Sequence, residues 1–415
     1  MMNTTQEDQM YWVGIDWGEQ KHTIAICDDQ RSIVSSFKTE TTLEGLNMLV
    51  TRLHEFVGVV GVAIETPRDP VVVRLLEEGY TVYPINPKLS HNWRKCTSVA
   101  GVKSDEYDAG MLALELSRRH ESLTAIRPKE ASAQEFLGLC DALRFLIDQR
   151  TSHLQRLRAV LRRYYPAALN FWEDITAPSA WAFIKQFSTP SVLAKTRKDT
   201  LIKFLRAHRI GLRPCWLERI DKSRQAAAWP ASPTATGDEL MALACVAQLQ
   251  ALEPRIKMLE KEIAEKGKGF EALNLIESLP GAGKSLAPAI TAIVVNLEEG
   301  DDTGKQLRCM AGVAPVKDES GKRVKTVIRR RCNKRWRNIF HLFAWCSIRR
   351  STWANAFYKL CRERGDTFAT ALRKLADKWI RIITCMIREK RPYDEKEYIE
   401  SLRKGGSPIY ERLCG

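Results

Sequence analysis

No two of the eleven cysteines stand in a C-x-x-C pair, and no Cys/His group has zinc-finger spacing. That excludes the common structural zinc modules and a small disulfide-stapled fold. Missing too is any run of 18 uncharged apolar residues, so the sequence offers nothing to span a bilayer. The opening "MMNTTQEDQM" lacks the apolar core of a secretion signal. With the scattered cysteines, this implies action in a reducing cytoplasm. A complete phosphate-cradling loop is also lacking. "LPGAGKS" at 279–285 ends like G-x-x-x-x-G-K-[S/T], but Ser278 stands where the first glycine belongs. The preceding "KGFEALNLIES" has a helical pattern, so no nucleoside triphosphate site is expected. A helix, a tight turn and a second helix fit better, as in a helix-hairpin-helix. There Gly281 and Gly283, having no Cβ, would let the backbone approach a nucleic-acid phosphate, with Lys284 beside them. An ordinary corner with glycine as helix stop is the plain alternative.

Positive charge is present in excess, and unevenly. The 415 residues carry a net +15. Residues 1–130 hold 14 Lys+Arg against 19 Asp+Glu, whereas the remainder holds 51 against 31. The peak is "GKRVKTVIRRRCNKRWR" at 321–337, with nine basic residues and no acid. Such asymmetry points to a polyanion partner. The run lacks the apolar face that a membrane-surface helix needs. Lys322, Arg323, Lys325, Arg329, Arg330, Arg331, Lys334 and Arg335 are its candidate phosphate contacts.

The periodicity predicts an α/β domain over 1–130. "YWVGIDWG", "HTIAICDD" and "SIVSSFKTE" read as three strands in quick succession, and "VVGVAIET" as a buried central strand. "LEGLNMLVTRLHEFV" reads as a helix, and "DPVVVRLLEEGY" as one capped by Asp69 with Pro70 first. "TVYPINP" supplies a fifth strand. The order β-β-β-α-β-α-β is that of an RNase H-like sheet. From 131 the pattern is helical. A long helix covers "AQEFLGLCDALRFLIDQRTSHLQRLRAVLRRYY", an insertion occupies 166–238, and a second long helix starts near Glu239. In the latter, Leu249, Leu252, Ile256, Leu259 and Ile263 recur at coiled-coil spacing, and Pro254 predicts a kink or restart. The two helices could pair in one chain as an antiparallel arm, or the second could dimerise. Residues 131–270 are thus a helical, coiled-coil region, 271–395 a helical C-terminal domain broken by the basic loop, and 396–415 a tail.

Four carboxylates stand out. Asp16 ends the first strand and Glu65 the central one. Asp105 and Asp108, at i and i+3, share one helix face. Singly, each is an ordinary strand end or helix cap. Together, on this strand order, they can converge as two-metal phosphoryl chemistry requires, with Mg²⁺ as the fitting ion.

These residues resemble the DEDD-type transposases of bacterial insertion sequences, relatives of the Piv invertase that include bridge-RNA-guided recombinases. The resemblance rests on "GID", the "IE" strand end, "INP" at 85–87 and K-x-D-x-x-D-A from Lys103 to Ala109. It continues through "LPGAG", "AGVAP" at 311–315 and "ESG" at 319–321. It implies a RuvC-like domain with metal ligands Asp16, Glu65, Asp105 and Asp108, and a helical transposase domain with Ser320 as nucleophile. It further implies Mg²⁺, double-stranded donor and target DNA, a non-coding guide (bridge) RNA, and self-assembly as dimer or tetramer. Chemistry alone would not have singled out Ser320. Two other readings stay open: a metal-dependent RuvC-like nuclease or resolvase using water, and a nucleic-acid-binding protein on an inactive RNase H-like domain.

Overall fold

The structure, a computed structural model, describes residues 9–65, 69–97, 104–126, 130–225, 233–297, 302–320 and 323–414. The chain divides into two compact units, Met1–Lys129 and Glu130–Gly415.

The first unit is built on five strands: β1 (Tyr11–Asp16), β2 (Lys21–Cys27), β3 (Ile33–Glu40), β4 (Val59–Ile64) and β5 (Val82–Pro84). Its helices are α1 (Leu43–His54), α2 (Pro70–Glu77), α3 (Pro87–Thr97) and α4 (Asp105–Arg119). Up to β5 this is the element order expected from the sequence, and Asp69 caps α2 with Pro70 in its first turn. The strands lie in the order β3-β2-β1-β4-β5. β2 runs antiparallel to β1 and β3, and β4 parallel to β1 and β5. The apolar runs of β1 and β4 are explained by burial on both faces. On one face Val13, Ile15, Val62 and Ile64 pack under Leu49 and Leu53 of α1 and Val71 and Leu75 of α2. On the other, Trp12 and Ala63 pack under Met111 and Leu112 of α4 and Trp93 of α3. Each such side chain contributes about 1.5–3 kcal/mol of burial. β3, at the sheet edge, is largely exposed.

The second unit is helical. Helix α5 (Ala131–Tyr164) pairs antiparallel with α11 (Ala235–Gly267). Glu135 meets Lys266 at 2.7 Å, Arg150 meets Glu253 at 3.5 Å and Arg163 meets Asp238 at 2.5 Å. The choice left open by the heptad spacing thus falls to pairing within the chain. The seam buries Phe136, Leu143, Ile256 and Ile263. α11 does not restart at Pro254, which lies inside the helix. Proline costs it one backbone donor, and packing along α5 on both sides offsets that loss.

The expected insertion folds into α6 (Pro166–Phe171), α7 (Pro178–Gln186), α8 (Pro190–Lys195), α9 (Lys198–Ala207) and α10 (Pro214–Gln225). Their aromatic core of Phe171, Trp181, Phe183 and Phe204 packs with Leu157 and Leu161 of α5 and Val246 and Leu249 of α11. A third core, with Phe340, Phe343, Trp353 and Trp379 at its centre, unites the remaining elements. These are α12 (Glu271–Glu277), α13 (Gly283–Val294), α14 (Thr303–Met310), α15 (Lys334–Ile348), α16 (Thr352–Glu363) and α17 (Phe368–Glu389). The residues read as a tail form α18 (Glu395–Lys404) and α19 (Pro408–Cys414), and Ile409 is buried in this same core.

The basic stretch is not simply a loop. Strands β6 (Val316–Ser320) and β7 (Arg323–Val327) form an antiparallel hairpin, with Ser320 opposite Arg323 at its closed end. The charges in "VKDES" and "RVKTV" mask the alternation that would mark such strands in sequence.

Candidate active site

Parallel pairing sets the first two carboxylates side by side. Ile15 lies opposite Ile64, so Asp16 and the residue after β4, Glu65, leave adjacent strands at the same edge. Neighbouring strands are ~4.8 Å apart. Helix α4 brings the other two. Ser104 caps it, its Oγ accepting from the Tyr107 N–H at 3.1 Å, so Asp105 and Asp108 fall in the first turn. Unpaired N–H groups there favour negative charge. Gly14 lets α4 lie directly on β1: a Cβ at Gly14 would meet Ala109 O at 2.1 Å and Ala113 N at 2.5 Å. The glycine of "GID" is therefore a packing residue that sets how close the two acidic elements come.

Electrostatics shows that all four carboxylates share one field. The Asp16 carboxyl is pushed up to about 6, first by burial and then by Asp108, Asp105 and Glu65. Asp16 and Glu65 are half-buried, Asp105 is exposed and Asp108 is buried. Two partners had no sequence signal beyond their i, i+4 spacing on α3. Arg94 donates from Nε to Asp108 Oδ1 at 2.7 Å. The buried Ser90 hydroxyl donates to Glu65. Trp17, next to Asp16 and partly exposed, donates its indole N–H to Asp69, the cap of α2.

Among the described residues, no three His, Cys, Asp or Glu side chains are drawn together closely enough to hold a metal ion as they stand. The reason is visible: Asp108 is turned to Arg94 and Glu65 to Ser90. The donor set nevertheless fits a hard divalent cation, because its ligands are all carboxylate oxygens. Their mutual repulsion, registered at Asp16, is what such a cation would relieve.

The second unit carries the remaining predicted residues except Lys103, which belongs to the first. Lys103 and Lys322 lie outside the described residues, as do the side chains of Ser320, Arg323 and Lys325. Arg330, Arg331 and Lys334 are exposed, and Arg329 is half-buried. Arg335 is engaged by Asp141 of α5 at 2.9 Å. The turn at 279–285 does join two helices, α12 and α13. Its glycines differ, though. Gly281 has φ +92°, and a Cβ there would stand 2.9–3.0 Å from the backbone of Cys346 and Ser347. The bare side of Gly281 is thus filled by α15. Gly283 has φ +55° with nothing within 4 Å of a Cβ, and Lys284 beside it is exposed. Of the pair, Gly283 is the one open to a ligand.

Among the described residues, no helix is long and apolar enough to cross a membrane. Comparison with known proteins gives the family. Residues 13–166 match a DEDD transposase model of the IS110 type, and residues 273–359 match the model described as transposase IS116/IS110/IS902 family. The first match holds all four carboxylates, and the second holds the turn, the hairpin and α15. The mini-circle protein of IS117 from Streptomyces coelicolor, named for a transposase, is 30% identical over 405 residues, covering 92% of this chain and 95% of that one. An IS116 insertion-element protein of Streptomyces clavuligerus is 27% identical over 395 residues, covering 94% and 97%. An IS900 protein of Mycobacterium paratuberculosis is 23% identical over 395 residues, covering 93% and 97%. With likeness running the length of both units, the chain belongs to the IS110/IS116 family of DEDD transposases, enzymes of DNA transposition.

Proposed function

We propose that this transposase cuts and exchanges DNA strands through a covalent phosphoserine at Ser320, using Mg²⁺ on an RNase H-like carboxylate site and a bridge RNA to choose its DNA. The observation that carries the metal part is the meeting of Asp16, Glu65, Asp105 and Asp108 at one sheet edge, where burial first and then the other three carboxylates raise Asp16 to about 6. These four residues would hold the ions. When bound, paired divalent cations stabilise the attacking and leaving oxygens of a phosphoryl displacement. The chain's own parts are distinct. Gly14 lets α4 lie against β1 and Ser104 caps its first turn, while Arg94 and Ser90 orient two of the carboxylates.

Ser320 enters by resemblance of "ESG" and by its place at the closed end of a hairpin that leads into the basic run. In the step proposed, the serine oxygen forms a bond to a DNA phosphorus. The bridging P–O bond to one deoxyribose breaks, and the serine proton ends on that departing hydroxyl. The ester keeps the phosphodiester energy, so a second strand's hydroxyl can rejoin without a nucleotide cofactor. The exposed cations Arg330, Arg331 and Lys334 suit a sequence-independent grip on backbone phosphates, leaving base choice to RNA pairing. A site completed by a second copy, as dimer or tetramer, belongs to the same reading through the family resemblance.

The test uses DNA carrying the element's ends, RNA transcribed from its flanks, and Mg²⁺. The expected result is a protein–DNA adduct that survives SDS, is released by protease, and is lost in Ser320→Ala and in Asp105→Ala. Wild-type exchange by Ser320→Ala would reject the serine and favour attack by water.

A further inference from the structure

Three nitrogens near the basic run are buried without a hydrogen-bond partner: Arg329 Nε, Arg337 Nε and His341 Nε2. Arg337 and His341 stand one turn apart on α15, and Arg373 stands on the adjoining α17. Burial first, and then both arginines, push the His341 imidazole down to about 4, so the ring is neutral at pH 7. Arg373 is itself lowered, first by burial, with Arg337 adding to the effect. The acid that favours its charge is Asp366, which is already engaged by Lys374 Nζ at 2.6 Å. Among the described residues, Arg329, Arg337 and Arg373 form no ion pair. Half-buried guanidinium groups normally find a carboxylate. Here like charges are held together instead.

The arrangement is also braced. Arg337 Nη2 donates to the Arg329 carbonyl at 2.9 Å and to Cys332 Sγ, tying the basic stretch to α15. Gly312, in "AGVAP", leaves the space: with φ +66°, a Cβ there would meet Cys332 Sγ at 2.7 Å and Arg337 Nη2 at 2.9 Å. Arg337 therefore has Nη2 fixed and its Nε left over. The remaining N–H groups of Arg337, a second arginine and an imidazole N–H make a donor set for a tetrahedral oxyanion. A phosphodiester supplies one negative charge and two accepting oxygens, which this set lacks.

We infer that Arg337, His341 and Arg373 form a pocket for a single nucleic-acid phosphodiester, the anchor that registers the strand on the hairpin of Ser320. The inference rests on the reading that residues 321–337 face nucleic acid, and deepens it by assigning a fixed contact among otherwise exposed cations. The solvated cations Arg330 and Arg331 would add long-range attraction, whereas the pocket would add position.

The test is made on the full chain with histidine-selective NMR, the His341 resonance being identified by its loss in His341→Gln. A short DNA duplex and inorganic phosphate are the two probes. Saturating duplex is expected to raise the His341 titration midpoint by at least one unit above its free value. Inorganic phosphate is expected to raise it less. Arg373→Gln is expected to flatten the slope of log K against log [salt] by about one, one phosphate's worth. Duplex binding with an unmoved His341 and an unchanged slope overturns the pocket while leaving the wider reading intact. A response to phosphate but not to duplex also overturns it. Absence of duplex binding to the wild-type chain overturns both. Should Arg373→Gln not fold, the wild-type titration decides alone.

Discussion

A Cβ placed on Gly14 would lie 2.1 Å from the carbonyl oxygen of Ala109. The two residues mark where β1 and α4 touch backbone to backbone. Asp16 is two positions beyond one, and Asp108 is immediately before the other. Gly14→Ala must therefore push α4 off the sheet, since neither backbone can yield like a flexible side chain. The expected cost is about 3 kcal/mol or more, at the upper end of overpacking penalties. Strand cleavage should fall further than stability, because the shift separates Asp108 from Asp16. Thermal melts and a cleavage assay on the same preparation check this, and near-native activity would refute it.

Arg94 holds Asp108 at 2.7 Å in a mostly buried pair. Arg94→Ala leaves that carboxylate with less compensation, which should destabilise the first unit by about 2–4 kcal/mol. If the carboxylates bind Mg²⁺, the same variant should gain more thermal stability from added Mg²⁺ than wild type does. Ser90→Ala, which removes a donor to Glu65, should show the same trend at smaller size. Equal Mg²⁺ shifts in wild type and both variants would mean that these residues do not compete with a cation.

The two glycines of "LPGAGKS" should respond differently. Gly281→Ala forces a Cβ against Cys346 and Ser347 at positive φ, so lost stability is the expected outcome. Gly283→Ala meets no neighbour and pays only for its φ of +55°, about 1 kcal/mol. Any loss of DNA affinity without unfolding should then come from Gly283 and Lys284. A stable Gly281→Ala protein with weakened DNA binding would reverse that assignment.

The α/β order and the placement of the four acids at strand ends and on one helix were legible because local pattern carries them. Apolar runs mark buried strands, and acids at strand ends and one helix face mark a shared edge. Ser90 and Arg94 were not legible, because serine and arginine on a polar helix look like surface residues until the fold turns them inward. The hairpin of Ser320 was hidden by charge, since "VKDES" and "RVKTV" lack a continuous apolar face. Pairing of α5 with α11 needed three dimensions, because a heptad seam does not say which helix fills it. Likewise, the glycine at 281 announced close approach, but sequence could not say that the approaching partner was α15.

Asp16 and His341 titrate over the same pH range with opposite consequences. Asp16 is raised from 3.8 to about 6, so from pH 4 to 6 the folded state holds a proton that the unfolded state has released. Its effect is stability falling as pH rises through that window. His341 is lowered from 6.5 to about 4, so the unfolded state binds a proton that the folded state refuses. Its contribution is full above 6.5 and is lost as pH falls toward 4. The residues sit in different compact units, and single variants separate the two slopes. Melts at pH 4.5, 5.5 and 6.5 should show Asp16→Asn flattening the decline of the first unit. His341→Gln should flatten the rise of the second. Arg373→Gln should shrink that rise in part, by removing one of the charges that hold His341 neutral. Parallel pH profiles for wild type and His341→Gln would mean that the imidazole is not lowered in the folded state, and an Arg373→Gln profile parallel to wild type would mean that it does not feel Arg373.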